Sequence, residues 1–378
     1  MDRHRLERHQ RTARSVPSTI VGVLLSPDRK GTPRLAAKVR FLQSPFAHSG
    51  RTDVQSIETH MSWVFLAGDR VLKLKKPVRF PMLDFTSLEA REHCCREEVR
   101  LNARLAPGVY LGLQALQWDG ASLACVDETR LPTDARTIDW LVCMQRLPEE
   151  RMLDALVARR SATAADIDAL LAVLVPFYRA ATVVPVSADA YAASFDRALA
   201  VDGEVLLRPQ FHIDAAATAL KRLDAALRRH AGLLAQRCEQ RRIVDGHGDL
   251  RPEHVCMLEP PVVIDCIEFN AQLRQVDPFD EIAFLGFECG LLGAPWIGQG
   301  LSDGLAAALD DRPPPALLHV YTAHRALLRA RLAIAHLLDP QPRTPERWAP
   351  LAQRCVGAAL DALGRERSSG ARSAPAAS

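Results

Sequence analysis

The pattern of hydrophobic residues changes once along this chain, near residue 148, and that change is the strongest constraint on its fold. Before it, short β-prone runs alternate with turn residues; after it, apolar residues recur at helical spacing. The predicted strands are 63–66, 71–75, 109–118, 122–126 and 138–144. The predicted helices are 151–159, 164–181, 214–238, 279–292 and 316–338. We therefore predict an α+β protein, with a five-stranded antiparallel sheet followed by a mainly helical lobe.

Two shorter elements complete this prediction. Thr86 and Glu89 form a capping-box signature that opens one long helix in the first part, which ends near residue 105 before Pro107. In the second part, the apolar runs 255–258 and 262–267 flank Glu-Pro-Pro and predict a small hairpin. This hairpin directly follows the sequence His-Gly-Asp at 247–249.

Composition divides the chain into four segments. Residues 1–35 are polar and Arg-rich and are predicted to be a flexible basic segment, to which we assign no function. Residues 36–147 form the predicted N-terminal lobe, and 148–363 form the C-terminal lobe. Residues 364–378, rich in Ser, Ala, Arg and Gly, are predicted to be a disordered tail.

Charge and cysteine content argue against several classes of function. The net charge is +3, and basic and acidic residues are interleaved, so nucleic acid is not an expected partner. There is no run of the roughly 20 apolar residues needed to span a bilayer, so no membrane association is expected. The nine cysteines lack Cys-x-x-Cys spacing and are predicted to be reduced thiols, as in a cytoplasmic protein.

Asp249 and Asp265 are candidates for the carboxylates that a phosphoryl-transfer site requires. That reaction uses a carboxylate near the acceptor hydroxyl, oxygen ligands for magnesium and a cation on the other phosphates. Asp249 lies in a loop between two apolar runs, so its side chain can project into a cleft. Asp265 ends the apolar run Val-Val-Ile-Asp, which is a costly place for a carboxylate unless a metal or hydrogen-bond donors compensate it. We interpret Asp265 as the magnesium ligand.

The motifs around these residues resemble those of the aminoglycoside phosphotransferase-like kinases, a family that includes choline kinase. The resemblance rests on His-Gly-Asp-Leu-x-x-x-His at 247–254 and on Val-Ile-Asp-Cys-Ile-Glu-Phe-Asn at 263–270. An uncharacterised bacterial branch is more similar still. Its members resemble the segments 58–65, 73–78 and 101–107, so the similarity extends from about residue 36 to 362.

This resemblance implies a protein-kinase-like bilobal fold with ATP bound between the lobes. Asp249 would be the catalytic carboxylate, and His247 of the same motif is the second candidate catalytic residue. Lys73 would contact the α- and β-phosphates while paired with Glu98 on the capped helix. Lys75 lies on the same face of the strand, so periodicity alone does not choose between the two lysines.

The remaining nucleotide contacts follow from the same resemblance. The chain has no Gly-rich loop before the lysine strand, so Thr59, His60 and Ser62 are the candidate donors to phosphate. Adenine is expected to bind backbone groups of the connector between the lobes, near Met144 to Leu147.

The metal site departs from the family pattern at His254, where the family has an asparagine that ligates a second magnesium. Imidazole is a poor magnesium ligand, which leaves three alternatives. Asp265 or Glu268 takes over the second metal, His254 only hydrogen-bonds the catalytic loop, or catalysis uses one metal or a softer one such as Mn²⁺.

A predicted helix near the C-terminus supplies candidate acceptor contacts. Tyr321, Arg325 and Arg329 share one helical face, and this face lines the acceptor site or forms an ordinary surface. Basic side chains here argue against cationic aminoglycosides and for a neutral or anionic acceptor. Asp-Pro-x-x-Glu at 277–281 is interpreted as a structural helix start.

The sequence thus predicts an ATP- and Mg²⁺-dependent phosphotransferase acting on a hydroxyl of a small molecule. Two alternatives stay open: a nucleotide-binding pseudokinase with a regulatory role, motivated by His254, and a protein kinase, which would use the same chemistry. No peptide-docking feature is recognisable in the sequence, and no protein partner is identified.

Overall fold

The computed structural model describes residues 32–80, 82–339 and 342–372, which form a sheet-bearing lobe followed by a helical lobe. The strands are β1 (Val54–Glu58), β2 (Ser62–Ala67), β3 (Arg70–Lys75), β4 (Arg79–Phe80), β5 (Leu83–Asp84), β6 (Tyr110–Trp118), β7 (Leu123–Asp127), β8 (Arg136–Gln145), β9 (Val244–Asp245), β10 (Val255–Cys256), β11 (Val262–Val263) and β12 (Gln275–Val276). The α-helices are α1 (Leu35–Leu42), α2 (Leu88–Asn102), α3 (Leu153–Ala158), α4 (Ala164–Ala180), α5 (Ala188–Leu206), α6 (Ala216–Arg229), α7 (Ala231–Glu239), α8 (Pro278–Leu291), α9 (Pro295–Leu309), α10 (Pro315–Ala335) and α11 (Pro345–Arg372).

The N-terminal sheet is antiparallel and has six strands, in the order β1-β2-β3-β8-β6-β7. The sequence prediction of five strands missed β1, which pairs with β2 along its whole length. This strand is short, polar and largely exposed at the sheet edge, so it carries little of the hydrophobic alternation from which strands are predicted.

Helices cover both faces of this sheet, not one face as predicted. Leu72 and Leu74 of β3 pack on one face against Val39 and Leu42 of α1, a helix absent from the prediction. On the other face α2 contributes Cys95 to a cluster with Trp140 and Val142. Because strand side chains alternate, Lys73 and Lys75 belong to the opposite face from Leu72 and Leu74.

Helix α2 begins one residue later than its capping-box signature predicted. Ser87 is the N-cap and accepts a hydrogen bond from the Ala90 N–H at 3.1 Å, whereas the Thr86 hydroxyl donates to Asp84. The helix is then fixed against the sheet by Arg91, which bonds the buried carboxylate of Asp139 on β8 at 2.7 Å. Lys38 of α1 bonds the same carboxylate at 2.8 Å.

The C-terminal lobe is helical as predicted, with three helices that the periodicity did not reveal. These are α5, α9 and α11. Three glycines lower the helix propensity of α9. In α5 the many alanines lie on all sides of the helix and blur the apolar periodicity, although they favour helix formation. The predicted helix 214–238 is divided at His230 into α6 and α7. Helix α11 continues to Arg372, into the segment predicted as a tail, and 373–378 lie outside the described residues, as do most of 1–35.

The predicted catalytic hairpin is present in shortened form. Strands β10 and β11 pair antiparallel on either side of the Glu-Pro-Pro turn, and β9 pairs with β12 nearby. Together they place residues 247–249 and 265–268 beside each other at the boundary of the two lobes. None of the helices in the described residues is both long enough and apolar enough to cross a membrane.

Helices α8 and α9 approach each other through a pair of glycines. A Cβ at Gly286 would lie 2.6 Å from the Gly298 Cα, which is a backbone atom that cannot move aside as a side chain can. We expect Gly286→Ala to lower the free energy of unfolding by about 1–3 kcal/mol, the usual cost of overpacking. Gly290→Ala on the same helix is the matched control, because its nearest neighbour outside the helix is 3.9 Å away. Chemical denaturation of both variants measures this, and equal stabilities would contradict it.

Candidate active site

Asp249 lies in the loop that leaves β9, at the boundary between the lobes, with its side chain 26% exposed. The Arg251 Nε is 3.1 Å from one of its carboxylate oxygens, and the His254 Nδ1 is 3.6 Å from the other. Burial opposes ionisation, but these neighbours, Arg251 foremost, hold the pKa of Asp249 below its ordinary value. The carboxylate is therefore ionised near pH 7 and can accept a hydrogen bond from a hydroxyl; because a low pKa makes it a weak base, it can take the proton only after that proton has become acidic in the reaction.

A buried carboxylate on α8 holds this loop in place. Glu281 accepts hydrogen bonds from the His247 N–H at 2.9 Å, from the Gly248 N–H and from the Tyr178 hydroxyl at 2.8 Å. Sequence analysis interpreted Glu281 only as part of a helix start. The structure shows that it positions the backbone that carries Asp249.

We expect Glu281→Gln to lower both stability and turnover. The amide oxygen can replace Oε1, but an NH₂ in place of Oε2 cannot accept from the Tyr178 hydroxyl or from the His247 N–H, and the loop loses its charge-assisted bonds, at a cost of about 1–3 kcal/mol. Turnover should fall while the KM for nucleotide changes little, because the loop and not the nucleotide site is disturbed. Urea denaturation and steady-state kinetics test this, with the exposed Glu239→Gln as control. Unchanged stability and turnover would contradict the assigned role.

His247, predicted to be catalytic, is 1% exposed and uses both ring nitrogens within the chain. Its Nε2 donates to the Ile264 carbonyl at 2.9 Å, and its Nδ1 accepts from the Asp249 N–H at 3.2 Å. Burial lowers its pKa to about 4, so the ring is neutral near pH 7. The geometry therefore assigns His247 to holding the loop rather than to contact with substrate.

The loop after β11 presents Asp265, whose side chain is 46% exposed. Asp265 has a φ of +63°, a strained value for a residue other than glycine, and three successive backbone bonds hold the loop. The Tyr110 hydroxyl accepts from the Asp265 N–H, the Asn102 side chain from the Cys266 N–H and the His247 carbonyl from the Ile267 N–H. Sequence reasoning missed Tyr110 and Asn102, although Asn102 lies in one of the motifs shared with the bacterial branch.

A continuous chain of ion pairs runs through this part of the site. It connects two lysines of β3 with a glutamate of α2 and two carboxylates of this loop. Lys73 bonds Asp265 at 2.8 Å and Glu98 at 2.8 Å, so the ion pair implied by the resemblance is present. Lys75 bonds the other oxygen of Glu98 at 2.6 Å and also bonds Glu268. We call this set, Asp265–Lys73–Glu98–Lys75–Glu268, the ion-pair chain. It joins β3, α2 and the loop 265–268.

The two lysines differ in access. The Lys73 side chain is 15% exposed and contacts the open carboxylate of Asp265, whereas Lys75 is 1% exposed and both its partners are buried. Lys73 is therefore the lysine within reach of a ligand in the cleft. Glu268, predicted as a possible metal ligand, is largely buried and paired with Lys75, so its carboxylate is not directed at the cleft.

In the turn between β1 and β2, the donors of Thr59 and the backbone donor of Ser62, all predicted to bind phosphate, are already bonded within the turn. The Ser62 N–H donates to the Thr59 hydroxyl at 2.9 Å, and the Thr59 N–H and hydroxyl both donate to the Ser62 carbonyl. These groups close the turn on itself, and Ser62 is buried.

His60, in the same turn, contacts the other lobe. Its Nε2 is 2.7 Å from the Nδ1 of His336, at the end of α10, and the His336 ring stacks on Trp348 at 3.8 Å. Burial lowers the pKa of both histidines, that of His336 to about 4, so a neutral pair shares one hydrogen. We call this contact the histidine bridge. It joins the lobes at the end of β3 that carries Lys75.

The connector between the lobes borders a cavity of about 360 Å³. Leu147 lines it, together with Gly68 and Asp69 of the β2–β3 turn. Met144 instead pairs with Val71 and Tyr110 within the sheet. Among the described residues, no hydrogen bond involves the Leu147 N–H, so this group is the available backbone donor at the predicted adenine position.

The basic face of α10 is not an acceptor surface. Arg325 makes a two-pronged ion pair with Asp280, Arg329 bonds Glu288 at 2.6 Å, and the Tyr321 hydroxyl donates to Asp277. Each side chain is at most 10% exposed and is neutralised by α8 or the residue that caps it. These arginines therefore give no information about the charge of the acceptor.

The described residues contain no group of three or more His, Cys, Asp or Glu side chains arranged to hold a metal. Mg²⁺ in phosphotransferases is commonly held by one or two carboxylates and completed by substrate phosphates and water. The open carboxylate of Asp265, with Asp249 on the facing loop, fits that pattern. When bound, such an ion would supply positive charge to neutralise phosphate oxygens.

Known proteins share parts of this architecture. The chain is 30% identical over 302 residues to uncharacterized proteins of Mycobacterium tuberculosis and Mycobacterium bovis; the match covers 75% of this chain and 55% of each relative. A choline/ethanolamine kinase family protein of Mesorhizobium loti superposes with a TM-score of 0.50 at 16% identity, over 88% of this chain and 97% of that protein. The chain has the choline-kinase-like fold. No family model matches the sequence.

The choline-kinase-like fold confirms the bilobal prediction and, at the level of the fold, the predicted resemblance. The chain spans about half the length of the curated relatives it matches.

Proposed function

We propose that this chain transfers the γ-phosphoryl group of ATP to a hydroxyl of a small molecule. The observation that carries the proposal is the arrangement at the boundary of the lobes. Asp249 and Asp265 lie on facing loops, and Lys73 bonds both Asp265 and Glu98. A carboxylate for the acceptor, a carboxylate for the metal and a lysine for the phosphates are the parts that phosphoryl transfer requires.

Each residue of the site has its own role in the proposed transfer. Asp249 orients the acceptor hydroxyl and takes its proton, with Arg251 keeping the carboxylate ionised. Lys73 moves from Asp265 to the non-transferred phosphates when nucleotide binds, while Glu98 holds its ammonium group. Glu281 and His247 keep the catalytic loop in position. The Leu147 N–H is available to the adenine ring.

A nucleotide-binding pseudokinase is the second candidate, and His254 favours it because imidazole replaces a hard oxygen ligand. One experiment separates the two candidates. The purified chain is incubated with ATP, Mg²⁺ or Mn²⁺, and a panel of hydroxyl-bearing metabolites that starts with choline and ethanolamine and extends to sugars. ADP release is followed, and nucleotide binding is measured by thermal shift.

Acceptor-dependent ADP release that Asp249→Asn abolishes would support the phosphotransferase. Nucleotide binding without turnover above that control, with either metal and every acceptor, would favour the pseudokinase. If neither nucleotide nor metal–nucleotide binds, both candidate functions fail.

A further inference from the structure

His254 lies between the two carboxylates of the site. It ends the short 3₁₀ helix Pro252–His254, and its ring is largely buried. The Nδ1 is 2.8 Å from the backbone carbonyl of Asp249, and the Nε2 is 3.7 Å from the Oδ2 of Asp265. The His254 ring therefore lies between the backbone of the loop that carries Asp249 and the half-exposed carboxylate of Asp265.

The carbonyl of Asp249 fixes the tautomer of this ring. A carbonyl oxygen can only accept, so the hydrogen is on Nδ1, and in the neutral ring Nε2 carries the lone pair. The Oδ2 of Asp265 lies 3.7 Å from this nitrogen. A ring that donates one N–H to a backbone carbonyl and presents its other nitrogen as a ligand is the usual arrangement of metal-binding histidines.

Asp265 is arranged to share an ion with this nitrogen. Its Oδ1 bonds Lys73, whereas its Oδ2 faces His254. The separation of 3.7 Å is shorter than twice the roughly 2.1 Å that separates such ligands from a divalent metal, so one ion can contact both atoms. Arg251 offers the competing interaction, but its Nη2 is 3.4 Å from Nε2, which makes a weak hydrogen bond.

We propose that His254 Nε2 and Asp265 Oδ2 together bind a divalent transition-metal ion of the Mn²⁺ type, in preference to Mg²⁺. Mg²⁺ selects oxygen ligands, whereas affinity for a mixed nitrogen and oxygen site is higher for transition metals. This inference rests on the proposed function, because phosphate oxygens and water would complete the coordination. It makes His254 the residue that determines the metal used.

Electron spin-echo spectroscopy of Mn²⁺ bound to the chain with ADP tests the proposal without requiring turnover. We expect ¹⁴N modulation from a coordinated imidazole in the wild-type protein and its loss in His254→Asn. His60→Gln is the matched control and should leave the signal unchanged. Competition of Mn²⁺ with Mg²⁺ is measured in parallel, and His254→Asn should reduce the preference for Mn²⁺ by at least about tenfold.

Mn²⁺–ADP that binds with no ¹⁴N modulation, and with the same Mn²⁺ preference in wild type and His254→Asn, overturns the metal assignment and leaves the phosphotransferase intact. Failure of the wild-type chain to bind ADP with either metal overturns both. Because the spectroscopic result comes from the wild-type protein, it does not depend on whether the variant folds.

Discussion

Replacing Asp249 with asparagine is expected to lower the rate of phosphoryl transfer by roughly two to four orders of magnitude, the usual contribution of a positioned general base. The amide retains the size of the side chain but cannot take the acceptor proton. The measurement is acceptor-dependent ADP release under saturating nucleotide. The variant should still bind ADP, because Lys73 and the connector are not altered.

The matched control is Asp303→Asn, which removes an exposed carboxylate of α9 far along the chain from the motif. It should leave turnover unchanged. Turnover of Asp249→Asn within tenfold of wild type would show that the acceptor is activated by another group.

Replacement of the buried Lys75 is expected to have a large effect on the stability of the fold. We expect Lys75→Met to lower the free energy of unfolding by about 3–5 kcal/mol, because it leaves the largely buried carboxylate of Glu268 without its cation and leaves Glu98 with Lys73 alone. Lys73→Met should cost much less, since Glu98 keeps Lys75 and Asp265 is exposed to water. Its main effect should instead be a loss of turnover.

Denaturant unfolding of both variants, with ADP release measured on each, separates these roles. Lys76→Met is the control, because the ion pair of Lys76 with Glu58 is partly exposed, and such pairs are worth about 0–1 kcal/mol. Equal destabilisation by Lys73→Met and Lys75→Met would refute the division of roles drawn from their different burial.

The sequence was sufficient to predict the parts of the site that lie in order along the chain. The strand lysine, the capped helix with Glu98 and the two aspartates follow one another as the resemblance requires, and the fold brings them together. The ion pair of Lys73 with Glu98 was predictable because helix α2 follows the lysine strand after only the short hairpin of β4 and β5, and packs on the same sheet.

Partners that are distant in sequence were not predictable. The spacing of Tyr321, Arg325 and Arg329 correctly gave one helical face, but it could not show that this face meets carboxylates of α8 and its cap. The choice between Lys73 and Lys75 likewise depended on burial, which periodicity does not supply. The donors of the β1–β2 turn were predicted to bind phosphate because the sequence does not show that they hydrogen-bond within the turn.

The histidine bridge has a consequence for which molecules can reach the site. The connector closes the gap between the lobes at one end of β3, and His60 with His336 closes it at the other, so the opening has a limited perimeter. The hydrogen bond between these neutral rings contributes only about 1 kcal/mol, and the Arg343 guanidinium adds a bond to the Glu58 carbonyl beside it, so a few weak polar contacts hold this end of the cleft. We therefore expect the two lobes to move apart at this end, with the connector as the hinge, when a ligand too large for the closed cleft enters.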